Sequence, residues 1–177
     1  MAVTELWLVR HGESVANVAA SQAVREGHEV IDAPARDADV RLSPVGVQQA
    51  EALGAWLESL DADDRPHAIV SSPYVRAEQT VRIALEGAGI PMSANIDERL
   101  RDRELGILDL LTPAGVDARL PQEAARKDWL GKFYYRPPGG ESWADLALRV
   151  RSFLAEIDRH DGRLLIAAHD AVIMNIL

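Results

Sequence analysis

An arginine, a histidine and a glycine stand together at Arg10-His11-Gly12, directly after the apolar run Leu6-Trp7-Leu8-Val9. Histidine is a competent nucleophile toward phosphorus, and arginine grips phosphoryl oxygens with paired donors. Glycine lets backbone approach a ligand closely. Arg76 follows a second apolar run, Ala68-Ile69-Val70, and the turn Ser71-Ser72-Pro73; His169 follows a third, Leu164-Leu165-Ile166-Ala167-Ala168. Asn17, about one turn into the segment after Gly12, can donate an amide hydrogen bond to the same anion. Together with helix N-termini these groups make a pocket for a tetrahedral dianion. His11 can attack phosphorus in line there, leaving a phosphohistidine for water to cleave. The positive surroundings stabilise charge on the equatorial oxygens and disfavour protonation of the imidazole. Asp102 and Glu104, two apart, project to one side of extended backbone, and either could protonate a leaving group. Each residue alone also has a plain structural reading, such as a surface pair between Arg76 and Glu78.

The elements that would position these groups follow from spacing. Leu6 to Val9 reads as a strand buried on both faces, aiming its C-terminal end into the crevice where open α/β sheets bind ligands. Ser14 to Gln22 reads as a short helix, and residues 23–41 as an aperiodic excursion or lid. Ser43-Pro44 caps an amphipathic helix carrying Val47, Ala50, Leu53, Leu57 and Leu60. Another helix opens after Pro73 and ends at Gly87 and Gly89, and Met92 to Ile96 forms a short edge strand. Thr112-Pro113 starts an interrupted helical stretch to about Trp129. Ser142 caps a helix with Trp143, Leu146, Val150, Phe153 and Ile157 at spacings of three and four; Glu141 before it could accept from its first amides or face the pocket. This alternation predicts an α/β fold, a three-layer α/β/α sandwich with a mostly parallel central sheet. Residues 1–177 are expected to form one domain. The chain stops eight residues after His169, so either the domain is short or further chain belongs beyond Leu177.

Composition narrows the function. The 177 residues are 47% hydrophobic and 27% charged, ordinary for a soluble globular protein. No cysteine is present, which excludes disulfides, thiolate catalysis and Cys-ligated metals. A net charge of −9 disfavours nucleic acid, and no run approaches a membrane span. The expected partner is a small phosphorylated substrate, with no nucleic acid and no membrane; a homodimer stays open. No cofactor and no metal are expected, because nothing spaces ligands as a zinc or magnesium site would. The N-terminus lacks the shape of a signal peptide, and a cytoplasmic location is expected.

Four motifs carry a resemblance to a family. Leu8-Val9-Arg10-His11-Gly12-Glu13-Ser14 with Asn17, Leu42-Ser43-Pro44 and Gly46 with Gln49-Ala50, Ser71-Ser72-Pro73 with Arg76-Ala77 and Gln79-Thr80, and Gly139-Gly140-Glu141-Ser142 resemble the histidine phosphatase superfamily. The similar branch is the phosphoglycerate-mutase-like one. The resemblance implies that His11 is the phosphorylated nucleophile and that Arg10, Asn17, Arg76 and His169 bind the phosphoryl group. The Leu100-x-Asp102 step ahead of Gly106 implies that Asp102 is the acid. The family usually carries a glutamate there, so the backbone must approach more closely, and Glu104 is the reserve. His169-Asp170 is similar to the acid-phosphatase branch, where that aspartate donates the proton; at a helix start it suits an acceptor better, and it ranks third.

The implied activity is a metal-independent phosphomonoesterase acting on small organic phosphate esters. The alternatives are a cofactor-dependent phosphoglycerate mutase and a non-catalytic phosphate-binding module. Residues 130–136 lack the arginine pair of the mutases, which favours hydrolysis. Leu108, Leu110, Leu111, Trp129, Phe133 and Tyr134 could form an apolar lid, although packing roles are the simpler reading. Arg126, Lys127 and Lys132 pull toward a second anionic group on the substrate.

Overall fold

The computed structural model describes residues 2–34 and 36–177; Ala35, within the 23–41 excursion, lies outside the described residues. Four strands, β1 (Val3–Arg10), β2 (Ala68–Ser71), β3 (Asn95–Ile96) and β4 (Gly162–Ala168), form one parallel sheet in the order β1-β4-β2-β3. Seven α-helices follow the strands: α1 (Val15–Glu26), α2 (Pro44–Ser59), α3 (Val75–Gly87), α4 (Pro113–Arg119), α5 (Pro121–Tyr134), α6 (Trp143–Leu154) and α7 (Asp170–Ile176). Leu57 of α2 and Val81, Ala84 and Leu85 of α3 pack with Ile69, Leu165 and Ala167 on one face of the sheet. Leu146, Val150 and Phe153 of α6 and Val172 of α7 pack with Val70, Leu164, Ile166 and Ala168 on the other. The three-layer α/β/α expectation is met. Among the described residues no helix is long and apolar enough to cross a membrane.

Local chemistry explains where the helices start. Ser14 and Ser142 close capping boxes with Asn17 and Asp145, and Ser43 caps α2 with Pro44 at its first position. Helix α1 runs past Gln22 to Glu26 and ends at Gly27 in the left-handed conformation, φ 70°. The stretch after Thr112 breaks at Leu120-Pro121 and continues past Trp129 to Tyr134. Only Asn95 and Ile96 of the expected edge strand pair with β2.

The organising strand meets its expectation only in part: Trp7 and Val9 pack against one core and Leu8 against the other, but all three are only partly buried. β1 is an edge strand bonded only to β4, and Leu6 is 39% exposed. The apolar run is continuous, yet only one side of the strand has a neighbour. β4, like β2, is flanked by two partners and covered on both faces, and its Leu164 to Ala168 are fully buried. Register places Arg10 opposite Ala168, and Ser71 opposite Ala167, so three strands end side by side. Whatever follows each of them meets at one edge.

Candidate active site

The backbone after β1 is pinned before any side chain is considered. The His11 N–H donates to the Ala168 carbonyl at 3.0 Å, and the Gly12 N–H donates to Thr80 Oγ1 at 3.0 Å. The Glu13 N–H donates to Gln49 Oε1 at 2.7 Å, and Ser43 Oγ donates to Glu13 Oε1 at 2.6 Å. Gln49, Ser43 and Thr80, motif residues without evident chemistry, are braces for this loop. Gly12 has a different reason from the expected one: a Cβ there would stand 2.5 Å from the Gly46 carbonyl oxygen. It is required for packing against the first turn of α2, not for approach to a ligand.

On that frame the side chains of His11, Arg76, Asp102 and His169 touch one another. His11 Nδ1 lies 2.7 Å from the Gly12 carbonyl, an acceptor only, so Nδ1 carries the hydrogen and Nε2 is left with its lone pair. Arg76, only 4% exposed on the first turn of α3, donates from Nε to that Nε2 at 3.2 Å. Burial holds the His11 pKa below its ordinary 6.5, and the Arg76 and Arg10 charges add to this against the Gly12 hydrogen bond. The imidazole is therefore neutral at pH 7.

His169 sits at the end of β4, 0% exposed, with its ring 5.1 Å from that of His11. Ser72 Oγ accepts the Tyr74 N–H at 3.2 Å and lies 2.8 Å from His169 Nε2. Nδ1 faces the Asp102 carboxylate oxygen at 3.3 Å, where a lone pair would be repelled, so the His169 hydrogen belongs on Nδ1 and the serine hydroxyl donates to Nε2. Nδ1 is buried with no hydrogen bond, because its alignment with Asp102 Oδ2 is poor. Burial, reinforced by the Arg76 charge, pushes the His169 pKa down to about 2. An orphaned buried N–H beside a guanidinium suits an anionic oxygen.

The remaining wall comes from loops. Asp102 Oδ2 accepts from Arg76 Nη2 at 3.1 Å, and its Oδ1 accepts from the Arg103 N–H at 2.8 Å. Glu104 accepts from the Tyr74 hydroxyl at 2.9 Å. Asn17 accepts the Ser14 N–H through Oδ1, which leaves its amide NH2 for the cavity it lines. Arg10 and Asp170 pair at 3.2 Å on the rim, both about half exposed or more. His11, Arg76, Asp102, Glu104, Asn17, Arg10 and Asp170 line one cavity of about 210 Å3, with His169 buried behind it. Asp102 and Glu104 share it, as their spacing in extended backbone predicts.

Several residues escaped the reading of the sequence. Asp37, on a 3-10 turn over Asp37–Asp39, binds Arg76 through both carboxylate oxygens at 2.9 and 3.0 Å. Asp109 lines the cavity with its pKa raised by burial and by Asp37 and Glu104, and the adjacent Leu110 has a positive φ of 57°. Backbone strain of this kind costs on the order of 1 kcal/mol and collects at functional sites. Arg149 of α6 donates to the carbonyls of Arg99, Arg101 and Asp102 at 2.7, 2.8 and 2.9 Å and binds Glu141 through two nitrogens. Glu141 therefore accepts from a side chain of α6 and not from its first amides, and it does not line the pocket; it locks the Asp102 loop, accepting the Glu104 N–H at 3.2 Å as well. A guanidinium between Leu146 and Val150 on the buried face of α6 was the available signal. The apolar lid does not form over this cavity: Leu108, Leu110, Leu111, Trp129, Phe133 and Tyr134 are all absent from its lining, and Trp129 is 83% and Tyr134 69% exposed. Arg126, Lys127 and Lys132 are likewise absent from its lining.

The geometry has counterparts among known proteins. A glucosyl-3-phosphoglycerate phosphatase of Mycobacterium tuberculosis is 31% identical over 183 residues, covering 98% of this chain and 73% of that one. A solved structure of the mycobacterial glucosyl-3-phosphoglycerate phosphatase complexed with VO3 superposes with a TM-score of 0.72 at 29% identity, covering 96% of this chain and 77% of the other. A 2,3-bisphosphoglycerate-dependent phosphoglycerate mutase of Gloeobacter violaceus is 35% identical over 145 residues, 78% of this chain, which spans 64% of the mutase. Residues 6–177 match the model of the histidine phosphatase superfamily, branch 1, and the chain belongs to that family.

Proposed function

We propose that this chain is a phosphomonoesterase that hydrolyses small organic phosphate esters through a phosphohistidine on His11. The observation that carries the reading is the neutral His11 imidazole, with Nδ1–H fixed on the Gly12 carbonyl and the Nε2 lone pair facing Arg76. In the first step Nε2 bonds to phosphorus as the ester P–O bond breaks, and the departing alkoxide takes a proton from Asp102. In the second, water gives its proton back to Asp102 and attacks phosphorus, the P–N bond breaks, and orthophosphate leaves. Arg76, the His169 Nδ1–H, Asn17 and Arg10 hold the equatorial oxygens, where fixed donors act on developing charge. Glu104 is the reserve donor.

The charge around the cavity supports hydrolysis over mutase chemistry. Asp37, Glu104, Asp109 and Asp170 crowd the lining, against Arg103 as the further cation beside the phosphoryl-binding Arg10 and Arg76, and Arg10 is itself paired with Asp170. A retained bisphosphate would face more anion than cation there. The protein's own guanidinium and N–H groups supply the positive charge, so turnover is expected to survive EDTA. Residues 1–177 are taken as one catalytic domain, acting on metabolites in the cytoplasm.

The test is an acid quench. Wild-type protein mixed with a 32P-labelled ester should yield acid-labile, base-stable protein phosphate, absent in His11→Asn along with turnover. No such species in the wild type sinks the mechanism. Transfer from 2,3-bisphosphoglycerate into 3-phosphoglycerate that exceeds release of free phosphate makes the chain a mutase.

A further inference from the structure

A guanidinium has five N–H groups, and all five of Arg76 are engaged by protein acceptors. Nε donates to His11 Nε2 at 3.2 Å, and Nη1 to the Asp37 carbonyl and Oδ1 at 2.7 and 2.9 Å. Nη2 donates to Asp37 Oδ2 at 3.0 Å and to Asp102 Oδ2 at 3.1 Å. The Asp37 carboxylate lies across Nη1 and Nη2 in the fork arrangement that a phosphoryl group also adopts on arginine. A substrate phosphoryl group cannot take that edge while Asp37 holds it, and two anions there would repel. One of the two carboxylates must give way.

The supporting structure decides which. The Asp102 loop is tied down by Arg149 through three carbonyls and by Glu141 through the Glu104 N–H. Asp37 instead belongs to a single 3-10 turn with two local backbone bonds, Asp39 N–H to the Arg36 carbonyl and Val40 N–H to the Asp37 carbonyl, so its carboxylate can swing away while its carbonyl keeps the Arg76 Nη1 bond. Its side chain is 40% exposed, against 4% for Arg76. The other charged pair on this turn, Arg36 with Asp39, is exposed and leads away from the site.

We propose that Asp37 occupies the phosphoryl-binding edge of Arg76 and is exchanged for the phosphoryl group in each turnover, returning to expel orthophosphate. This rests on the reading of the cavity as the phosphoryl site. It makes Asp37 an internal competitor: the apparent dissociation constant for phosphate is the intrinsic one divided by the fraction of molecules in which Arg76 is open. A closed-to-open ratio of about ten weakens phosphate about tenfold.

Calorimetric titration of inorganic phosphate into wild type, Asp37→Asn and Asp39→Asn tests this without turnover. Asp37→Asn should bind about tenfold more tightly and show matching stronger product inhibition. Asp39→Asn, which makes the same charge change on the same turn away from Arg76, should bind like wild type. Equal or weaker binding by Asp37→Asn overturns the proposal and makes Asp37 an orienting partner of Arg76. Equal tightening by Asp39→Asn overturns it too, since general charge then explains the gain. Phosphate binding to none of the three proteins overturns the phosphoryl-site reading itself.

Discussion

The cavity has two walls of opposite character. The wall at the strand ends, His11, Ser72, Arg76 and His169, is 7%, 0%, 4% and 0% exposed and is tied to the sheet by backbone hydrogen bonds. The loop wall is open: the Asp37 and Asp102 side chains are 40% and 29% exposed, and Glu104 and Asp109 lie at the surface. Donors that must not reorganise as charge develops belong on the rigid, dry wall, where each acts in a low-dielectric setting. Groups that meet the varied half of the ester or exchange during turnover belong on the other. The contrast is testable. Damage to the strand-end wall should slow every ester alike, and damage to the loop wall should depend on the leaving group.

The largest effect among these is expected at Arg76. Arg76→Ala removes donors to the equatorial oxygens, and loss of such electrostatic stabilisation costs about 10²–10³ in rate. kcat/KM should fall by roughly that factor for p-nitrophenyl phosphate and for alkyl phosphates equally. Arg76→Lys should rescue little, because an ammonium cannot span two oxygens in a fork. The pH profile adds a sign. Arg76 lowers the His11 pKa while Asp102 raises it, so removing the guanidinium moves the acid limb of kcat/KM to higher pH. A loss confined to poor leaving groups, or a limb that moves down, would erase the distinction between the walls.

Asp102 sharpens it from the other side. A general acid contributes about 10²-fold or more only where the departing oxygen needs a proton. Asp102→Asn should therefore lower hydrolysis of alkyl phosphates by about 10² while sparing p-nitrophenyl phosphate, whose phenolate leaves unaided. Intact alkyl phosphate hydrolysis passes the role to Glu104, and Glu104→Gln is then the variant to measure.

The same contrast governs what could be read in advance. His11, Arg76 and His169 were legible because each follows a short apolar run, and parallel strands deliver their C-terminal ends to one edge. The three-layer architecture followed from the same alternation. Asp37 was not legible, since it lies in an aperiodic stretch where no spacing relates a carboxylate to a helix thirty-nine residues on. Ser72 looked like turn punctuation, and its role depends on a histidine ninety-seven residues away. β1 misled for a physical reason: a continuous apolar run marks burial, but burial of an edge strand comes from helices and not from a second neighbour. Asp102 and Glu104 were legible from their spacing and a resemblance put Asp102 first, whereas Arg149, which places it, shows only as a charge on the buried face of an amphipathic helix.

Ser72 makes the finest test, since it belongs to the strand-end wall yet reaches the phosphoryl group only through His169. Its hydroxyl, donating to Nε2, helps hold the His169 hydrogen on Nδ1, the atom left without a partner beside the site. Ser72→Ala removes that support without removing charge or ring, so kcat should fall about tenfold for all esters, less than for loss of a direct donor. The 15N resonances of His169 should shift from a single Nδ1–H tautomer toward a mixture, and Ser72→Thr, which keeps the hydroxyl, should restore both readouts. A drop in rate with the His169 tautomer unchanged would make Ser72 a packing residue. It would also show that the rigidity of this wall resides in the backbone bonds of β4 and not in its side-chain relay.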